Sequence, residues 1–457
     1  MTTQIESHQV SPPHGEVPPE ISYPMSYFDI PMLNSHPVRR LLFYDFAASK
    51  SSFLETHIPK LIQSLALVLK HYTPLAGNIL YPLLDTEKPI FRYLSGDCVS
   101  LTVSESTNDY HNLVGYGARD ADQFYNCVPQ MPPIKDEPGF KIIPVLAVQI
   151  TLFPGTGVCI GIANNHSVGD GSAIMSFIKA WASTSRFEGS NEELLVQAGK
   201  FSPCFDRKFI RDPLGIDAIS WNQIRKRFPT HCSTFPLPTK KVRATYVLNE
   251  SEIKKLKDLI KSKVPRLEYL SSFVAAGAYA WSNLVKSGDM TGEEADESKV
   301  ECFIFAVDLR ARVDPPVPDN YFGNCVVGAK VKMGHGVLVG DEGFFRAAEA
   351  IADYIQNTAN NKEQVLKGAE NWLSNYQSIA RGGYVAVIGS SKFDLYDVDF
   401  GWGKARKVEV ATIDGESLVM SMCKVRDSER GIEIGLSLPT PRMEAFAALF
   451  AHGLAPI

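Results

Sequence analysis

An apolar hairpin that runs into a glycine-rich junction constrains the fold of this chain most strongly. Residues Val145 to Ala163 form two apolar strand patterns around the sequence PGTG (Pro154 to Gly157), and such turns favour glycine and proline. The second strand leads directly into NNHSVGDG, and a helical pattern follows from Ser172 to Ser183. The pattern therefore predicts a strand, a glycine-rich turn and a helix, where backbone can approach a ligand closely.

Helical and strand patterns alternate over most of the remaining chain. Apolar residues recur at steps of three and four between Ser51 and Lys70, which predicts an amphipathic helix. The first twenty residues are polar and proline-rich, and we interpret them as a mobile arm. Strands mixed with intervening helices indicate an α/β protein. Further strands are predicted at 90–94, 99–103, 242–248, 301–308, 326–331, 384–387, 408–413, 417–422 and 432–436, and further helices at 250–262, 271–286, 343–356 and 441–452.

The passage between residues 205 and 241 has the composition of a connector. Its periodicity is weak, its charges are mixed and it is rich in proline. A chain of 457 residues has room for roughly two to four domains. We therefore predict an N-terminal domain at 1–204, a linker at 205–241 and a C-terminal domain at 242–457.

Charge and hydropathy exclude two classes of partner. The net charge is -5 and the basic residues are scattered, so we expect no nucleic-acid partner. The most apolar run, Ile142 to Phe153, is too short to cross a bilayer and contains Pro144 and Gln149, so we expect no membrane span. The first residues also lack the basic start and apolar core of a secretory signal.

The eight cysteines favour a reducing compartment. They lie far apart and show no spacing typical of a redox or zinc motif. Asn165, His166 and Ser167 also form a glycosylation sequon, and a glycan at Asn165 would lie against the histidine of the glycine-rich turn. We therefore expect a cytoplasmic protein without a bound metal.

His166 is the first candidate for chemistry. An unperturbed imidazole titrates near neutral pH, so it can take a proton from a hydroxyl and return one to a leaving group. A histidine at a strand end can equally be a structural residue with satisfied hydrogen bonds. Asp170, four residues later, also has two interpretations: a carboxylate that orients the histidine, or the N-cap of the following helix.

A second conspicuous sequence is DFGWGKARK, from Asp399 to Lys407. Gly401 and Gly403 flank Trp402, but the third glycine of a dinucleotide-binding loop is missing, which argues against a Rossmann site. The chain also contains no GxxxxGK[ST] loop, no HExxH helix and no GxSxG elbow. Phosphoryl transfer, zinc-dependent hydrolysis and α/β-hydrolase chemistry therefore lack their usual residues.

Taken together, HSVGD (His166 to Asp170) and DFGWG (Asp399 to Gly403) resemble the signature pair of the BAHD acyltransferases of plant specialised metabolism. The resemblance extends over nearly the whole chain, and the set is most similar to malonyltransferases that modify anthocyanin, flavonoid and phenolic glucosides. The further segments are SYFDIPML (26–33), RRLLFYDF (39–46), YTPLAGN (72–78), NYFGNC (320–325), SSKFDLYDVDFGWG (390–403) and GLSLPTPRMEAFAALF (435–450).

This resemblance implies a fold, a reaction and a set of partners. The fold would be α/β, with two similar-sized chloramphenicol-acetyltransferase-like domains joined by a long crossover loop and separated by a solvent channel. His166, at the midpoint of the channel, would deprotonate a sugar hydroxyl that attacks the thioester of malonyl-CoA. The expected partners are acyl-CoA and a small-molecule glucoside acceptor. We expect a monomer with no metal and no permanently bound cofactor.

The resemblance also suggests roles for other residues. Asp170 and Asp399 belong to the catalytic motifs, and both are expected to support the fold around them. The acyl-CoA is expected to lie along Ser271, Ser272, Gly389, Ser390, Ser391 and Lys392, with Arg39 and Arg40 as further candidates for its anionic groups.

The choice of acyl donor depends on charge. A malonyl group ends in a carboxylate, which is costly to bring into a narrow channel unless a cation, best an arginine, meets it. Arg186, at the end of the helix that begins beside Asp170, matches the position of such a cation in the malonyltransferases. Alternatively, it is a solvated arginine that favours the helix C-terminus. The alternative functions are a hydroxycinnamoyl-CoA or acetyl-CoA donor with the same fold and base, and a non-catalytic small-molecule binding protein.

Overall fold

Three β-sheets with helices packed on them make up the structure. It is a computed structural model that describes residues 2–84, 87–187, 202–225, 237–267, 270–292, 298–374, 383–415 and 417–455. The strands are β1 Thr2–Val10, β2 Glu20–Pro24, β3 Val38–Asp45, β4 Asn78–Pro82, β5 Ile90–Leu94, β6 Val99–Ser106, β7 Arg119–Asp120, β8 Lys135–Glu137, β9 Phe140–Pro144, β10 Leu146–Phe153, β11 Gly157–Asn164, β12 Val242–Leu248, β13 Val300–Asp308, β14 Val326–Gly334, β15 Val385–Ile388, β16 Lys407–Val410, β17 Leu418–Lys424 and β18 Ile432–Leu438. The α-helices are α1 Lys50–Ser52, α2 Ile58–His71, α3 Tyr110–Leu113, α4 Gly171–Arg186, α5 Ile216–Ile224, α6 Glu250–Lys263, α7 Ser272–Met290, α8 His335–Val339, α9 Gly343–Tyr354 and α10 Thr440–Leu454.

The two larger sheets exchange strands between the halves of the chain. The six-stranded sheet has the order β1-β6-β10-β11-β3-β16, the seven-stranded sheet the order β14-β13-β15-β17-β18-β12-β7, and a third sheet of five strands the order β2-β5-β4-β9-β8. Strand β16, from the C-terminal half, pairs antiparallel with β3, and β7, from the N-terminal half, pairs with β12. Each large sheet is therefore completed by the opposite half of the chain.

Each half also has its own apolar core. Strands β10 and β11 are buried along their whole length, and helices α2 and α4 pack on one face of their sheet. Trp181 of α4 is fully buried there, and its indole Nε1 donates to the carbonyl of Leu61 at 3.1 Å. A second core around Trp281 and Phe446 lies between the seven-stranded sheet and helices α7 and α10. Burying these aromatic side chains stabilises each half, since area removed from water contributes roughly 25 cal/mol per Å².

Most predicted elements are present, and the α/β class is confirmed. Strand β12 spans the predicted residues 242–248, and the predicted helix at 51–70 overlaps α1, a π-helical turn at Phe53–His57 and α2. The predicted mobile arm is wrong, because Thr2–Val10 forms a strand paired with β6. Without this segment, β6 would be an edge strand with unpaired backbone N–H and C=O groups, and these groups pair with the backbone of β1. The strand predicted at 408–413 ends at Val410, and a 3₁₀ turn, Ala411–Asp414, follows.

The predicted linker is only partly described. Its described residues contain the 3₁₀ turn Arg207–Phe209 and helix α5, and Pro229, Cys232 and Pro236 lie outside the described residues. In the described part of the chain, no helix combines the length and the apolar character needed to cross a bilayer.

Candidate active site

The site is built on the turn that follows β11. Strand β11 ends at Asn164, a single 3₁₀ turn spans His166–Val168, and α4 begins at Gly171. The Asn165 side chain caps this turn by accepting the backbone N–H of Ser167 at 3.0 Å. The predicted order of strand, glycine-rich turn and helix is therefore confirmed. It places His166 between the C-terminal end of β11 and the N-terminus of α4.

Gly171 lets the C-terminal half approach this turn. A Cβ atom at Gly171 would lie 2.5 Å from Cε2 of Phe393, so only a glycine leaves room for the aromatic ring. Phe393 follows Gly389, Ser390, Ser391 and Lys392, the segment expected to contact CoA. The structure therefore brings that segment next to the helix that begins beside the HSVGD sequence.

Asp170 binds an arginine of the other half of the chain. Its Oδ2 accepts from Arg310 Nη1 at 2.9 Å and from the backbone N–H of Cys325 at 3.0 Å, and its Oδ1 accepts from Arg310 Nη2 at 3.1 Å. Oδ1 also caps α4 by accepting the N–H of Ala173 at 3.1 Å. Of the two interpretations of Asp170, the structure contains the N-cap. Within the described residues it contains no hydrogen bond from this carboxylate to His166.

Asn324 holds the backbone of the histidine turn. Its side-chain Nδ2 donates to the carbonyl oxygens of His166 and Ser167, both at 3.0 Å, and to Asp29 Oδ1 at 2.9 Å. Asp29 also accepts the backbone N–H of Asn324 at 3.0 Å. Both side chains are fully buried. A residue from each half therefore positions the turn, and a buried carboxylate with several donors is a stable anchor.

Sequence reasoning missed Asp29, Arg310 and Asn324 as site residues. Asp29 and Asn324 lie within the segments SYFDIPML and NYFGNC, which carried the family resemblance. The signal was therefore present in the motifs, although the sequence spacing alone does not indicate which atoms these residues contact.

His166 itself is partly buried, with its Nδ1 enclosed. Burial lowers the pKa of the imidazole below its ordinary value, because it disfavours the charged form, and the positive charge of Arg40 acts in the same direction. The backbone of His166, the charge of Asp170 and the side chain of Asn324 oppose this shift in pKa without cancelling it. The ring is therefore neutral at pH 7, which is the form that can accept a proton.

Arg39 and Arg40 point to opposite faces of the sheet, as successive residues of a strand do. The side chain of Arg40 is partly buried, and its Nη1 donates to Asn164 Oδ1 at 3.0 Å, two residues before His166. Burial lowers the pKa of Arg40 to about 10. Arg39 is buried, burial lowers its pKa, and the nearby phenol of Tyr125 and the charge of Asp414 oppose that shift in pKa. Of the two arginines, only Arg40 therefore lies on the face that leads to His166.

Asp399 and Arg186 lie at the opposite end of α4. Asp399 Oδ1 accepts the backbone N–H groups of Gly401 and Gly403 at 2.7 and 2.8 Å, and its Oδ2 lies 3.0 Å from Arg186 Nη1. Gly401 and Gly403 have φ angles of 103° and 85°, a region that favours glycine. Helix α4 has 16 residues, so its last residue lies about 24 Å along the axis from its start.

The structure therefore places Arg186 at the end of α4 remote from His166, and its expected contact with a malonyl carboxylate stays a prediction. Arg186 is half exposed, belongs to the far end of α4 and is paired with Asp399. Asp399, in turn, closes a glycine turn at the same end of α4 as Arg186. The HSVGD sequence thus lies at the start of α4, and the DFGWG sequence lies at its end.

The remaining expected CoA contacts lie at two element ends. Ser271 caps α7 by accepting the N–H of Val274 at 3.1 Å, and Ser272 is the first residue of that helix. Gly389 has a φ of 81°, and a Cβ there would lie 2.7 Å from the carbonyl oxygen of Met422. Ser391 and Lys392 are exposed. Among the described residues, no group of three or more His, Cys, Asp and Glu side chains is placed to hold a metal.

The fold is similar to that of a solved structure. The crystal structure of F. graminearum TRI101 complexed with ethyl coenzyme A matches 94% of this chain and 97% of that chain, with a TM-score of 0.68 and 16% sequence identity. The predicted architecture of two chloramphenicol-acetyltransferase-like domains is therefore confirmed.

By its fold and its sequence, the protein is an acyl-CoA-dependent acyltransferase. It belongs to the Transferase family, the BAHD acyltransferases, whose sequence profile matches residues 1–452. It is 48% identical to the malonyl-coenzyme:anthocyanin 5-O-glucoside-6'''-O-malonyltransferase of Salvia splendens, over 98% of this chain and 95% of that protein. It is 41% identical to phenolic glucoside malonyltransferase 1 of Nicotiana tabacum, over 99% of each chain.

Proposed function

We propose that this protein transfers the malonyl group of malonyl-CoA to a sugar hydroxyl of a phenolic or flavonoid glucoside. The observation that carries the proposal is the 48% identity, across nearly the whole chain, to a malonyltransferase that acts on an anthocyanin glucoside. A neutral, partly buried His166 at a turn held by both halves of the chain supports the same chemistry.

His166 is the general base of the proposed reaction. Because its Nδ1 is enclosed, Nε2 is the ring nitrogen available to the acceptor hydroxyl. Nε2 takes the hydroxyl proton while the oxygen attacks the thioester carbonyl and a carbon–oxygen bond forms. The carbon–sulfur bond then breaks, and the imidazolium returns its proton to the departing sulfur, so that free CoA leaves as a thiol and His166 is neutral again.

Asp170 and Asp399 act on the fold rather than on the substrate. Asp170 shares its carboxylate between Arg310 and two backbone N–H groups, so it keeps the two halves in register around the turn. Asp399 closes the DFGWG turn at the far end of α4. The bound CoA lies along Ser271, Ser272 and residues 389–392. Phe393, the next residue, packs against Gly171 and so keeps the last of these segments beside the N-terminus of α4.

A reducing cellular compartment fits the cysteines. All seven described cysteines are free thiols. We propose that the protein acts as a cytoplasmic monomer with malonyl-CoA and a glucoside as its substrates. Size-exclusion chromatography with light scattering tests the oligomeric state, and a mass near 50.5 kDa is expected.

A donor comparison tests the proposed reaction. The purified protein is incubated with a simple aryl glucoside and malonyl-CoA, acetyl-CoA or coumaroyl-CoA, and the products are measured by mass spectrometry. We expect malonyl-CoA to give the highest kcat/KM. If malonyl-CoA is the poorest donor, the proposed function is wrong.

A histidine substitution separates catalysis from simple binding. His166→Ala is expected to lower kcat about a hundredfold or more, since general-base catalysis contributes that much. His14→Ala, at an exposed position, is the matched control and should leave kcat unchanged. Full activity of His166→Ala would instead favour a non-catalytic role for the histidine.

A further inference from the structure

The position of Arg40 places a cation beside the proposed base. In the antiparallel pair of β3 and β11, Arg40 lies opposite Ile162, so Arg40 and Asn164 share one face of the sheet. The hydrogen bond between their side chains, at 3.0 Å, holds the guanidinium at the end of β11. The chain then continues through Asn165 to His166. The charge of Arg40 lies close enough to lower the pKa of that ring.

Arg40 differs in its side-chain partner from Arg310 and Arg243, two buried arginines that pair with carboxylates. Arg310 binds Asp170, and Arg243 binds Asp414 and Glu409. Arg40, by contrast, has the neutral amide of Asn164 as its side-chain partner, and no carboxylate lies within ion-pair distance of it among the described residues. A guanidinium carries five N–H donors, so most of those of Arg40 remain available.

The chemistry of the malonyl group requires a cation at this place. The thioester carbonyl must lie beside His166 during attack, and the terminal carboxylate carbon lies about 2.5 Å from the carbonyl carbon, across two carbon–carbon bonds. The carboxylate is therefore confined to the immediate surroundings of the histidine. A carboxylate in such a partly buried place is stable when a charged, planar donor meets it.

We propose that Arg40 binds the free carboxylate of the malonyl donor and thereby selects malonyl-CoA over acetyl-CoA. This assignment rests on the proposed function, and it replaces Arg186 as the cation that reads the donor. Of the anionic groups of the acyl-CoA, Arg40 would thus bind the malonyl carboxylate. The Asn164 side chain then acts as a positioning residue, because it orients the guanidinium.

The test compares two donors that differ only by the carboxylate. The ratio of kcat/KM for malonyl-CoA to that for acetyl-CoA is measured for the wild type, Arg40→Gln and Arg40→Lys. We expect Arg40→Gln to lower the ratio about 10- to 100-fold, the value of a charge-assisted hydrogen bond, with acetyl transfer largely retained. Arg40→Lys keeps the positive charge but not the planar guanidinium, so its ratio should lie between that of the wild type and that of Arg40→Gln. Arg186→Gln is the matched control, and its ratio should equal that of the wild type.

Two outcomes would overturn the assignment. A ratio unchanged in Arg40→Gln, including an equal loss of kcat/KM with both donors, would mean that Arg40 does not bind the carboxylate. A ratio that falls only in Arg186→Gln would return the role to Arg186. These results leave the proposed function intact, whereas a wild-type preference for acetyl-CoA overturns both.

A substrate variant covers the case in which Arg40→Gln does not fold. The methyl ester of malonyl-CoA keeps the shape of the donor but removes its charge. The wild type should use the ester about 10- to 100-fold less efficiently than the free acid, and Arg40→Lys should narrow that gap. Equal use of ester and acid by the wild type would contradict the proposal.

Discussion

Arg310 holds both carboxylate oxygens of Asp170, at 2.9 and 3.1 Å, across the two halves of the chain. Both side chains are buried. The aspartate of the HSVGD sequence therefore joins two lobes, and His166, four residues before this capping position of α4, is positioned by that junction. The contacts of Asp170 thus fix the position of the turn that contains His166.

The first prediction concerns Asp170→Asn. Because a buried arginine would lose its charged partner, we expect the free energy of unfolding to fall by about 3–5 kcal/mol, measured by denaturation with urea. The matched control is Asp206→Asn, at an exposed N-cap, where the loss should be a few tenths of a kcal/mol. The folded variant should keep the acidic limb of the pH profile, since Asp170 is not the base, with its midpoint at lower pH because the charge of Asp170 no longer raises the pKa of His166. A profile without its acidic limb would contradict this role.

The second prediction concerns pH. The pKa of His166 is lowered by burial and by Arg40, with opposing effects from Asp170, Asn324 and its own backbone. Since the neutral ring is the base, kcat/KM should be constant at neutral pH and fall only as the pH drops through a value below 6.5. In Arg40→Gln, which removes a positive charge, the midpoint of acetyl transfer should move to higher pH. A wild-type midpoint above 6.5 would contradict the neutral, partly buried base.

The third prediction separates the DFGWG turn from catalysis. Asp399→Ala removes the acceptor of two backbone N–H groups and should destabilise the fold by about 1–3 kcal/mol, with kcat at low temperature within a few-fold of the wild type. Arg186→Ala removes a half-exposed ion pair and an exposed contact with the Phe187 ring, and should cost about 1 kcal/mol or less. A hundredfold loss of kcat in folded Asp399→Ala would instead assign this residue to the reaction.

The fourth prediction concerns Gly389, next to the expected CoA site. Gly389→Ala places a side chain at a φ of 81° and 2.7 Å from the carbonyl of Met422, so residues 389–392 must shift. We expect a loss of stability above about 1 kcal/mol and a higher KM for the acyl-CoA. Gly15→Ala is the control: its φ is 79°, but no atom lies within 4 Å of the added Cβ. An unchanged KM would argue against CoA binding along this segment.

Much of the local structure followed from patterns between near neighbours. The hairpin at 145–163, strand β12 and helix α6 were predicted because alternation and apolar spacing report which faces are buried. The edge strand Thr2–Val10 was missed because a polar, proline-flanked segment carries no such signal, and its partner β6 lies about a hundred residues later. The early end of β16 was missed because Asp414, just beyond it, is held by Arg243.

The sequence by itself determined the chemical groups: an imidazole in a glycine turn, two aspartates in signature motifs and a pair of adjacent arginines. Only the tertiary structure decided which of them meet. Arg310 is 140 residues from Asp170, and Asn324 is 158 residues from the carbonyl it binds at His166. Local periodicity reports burial within a few residues, whereas these contacts depend on packing between distant segments and on strands exchanged between the lobes. For that reason Arg40 lies near the histidine, bound to Asn164, whereas Arg186 pairs with Asp399 at the other end of α4.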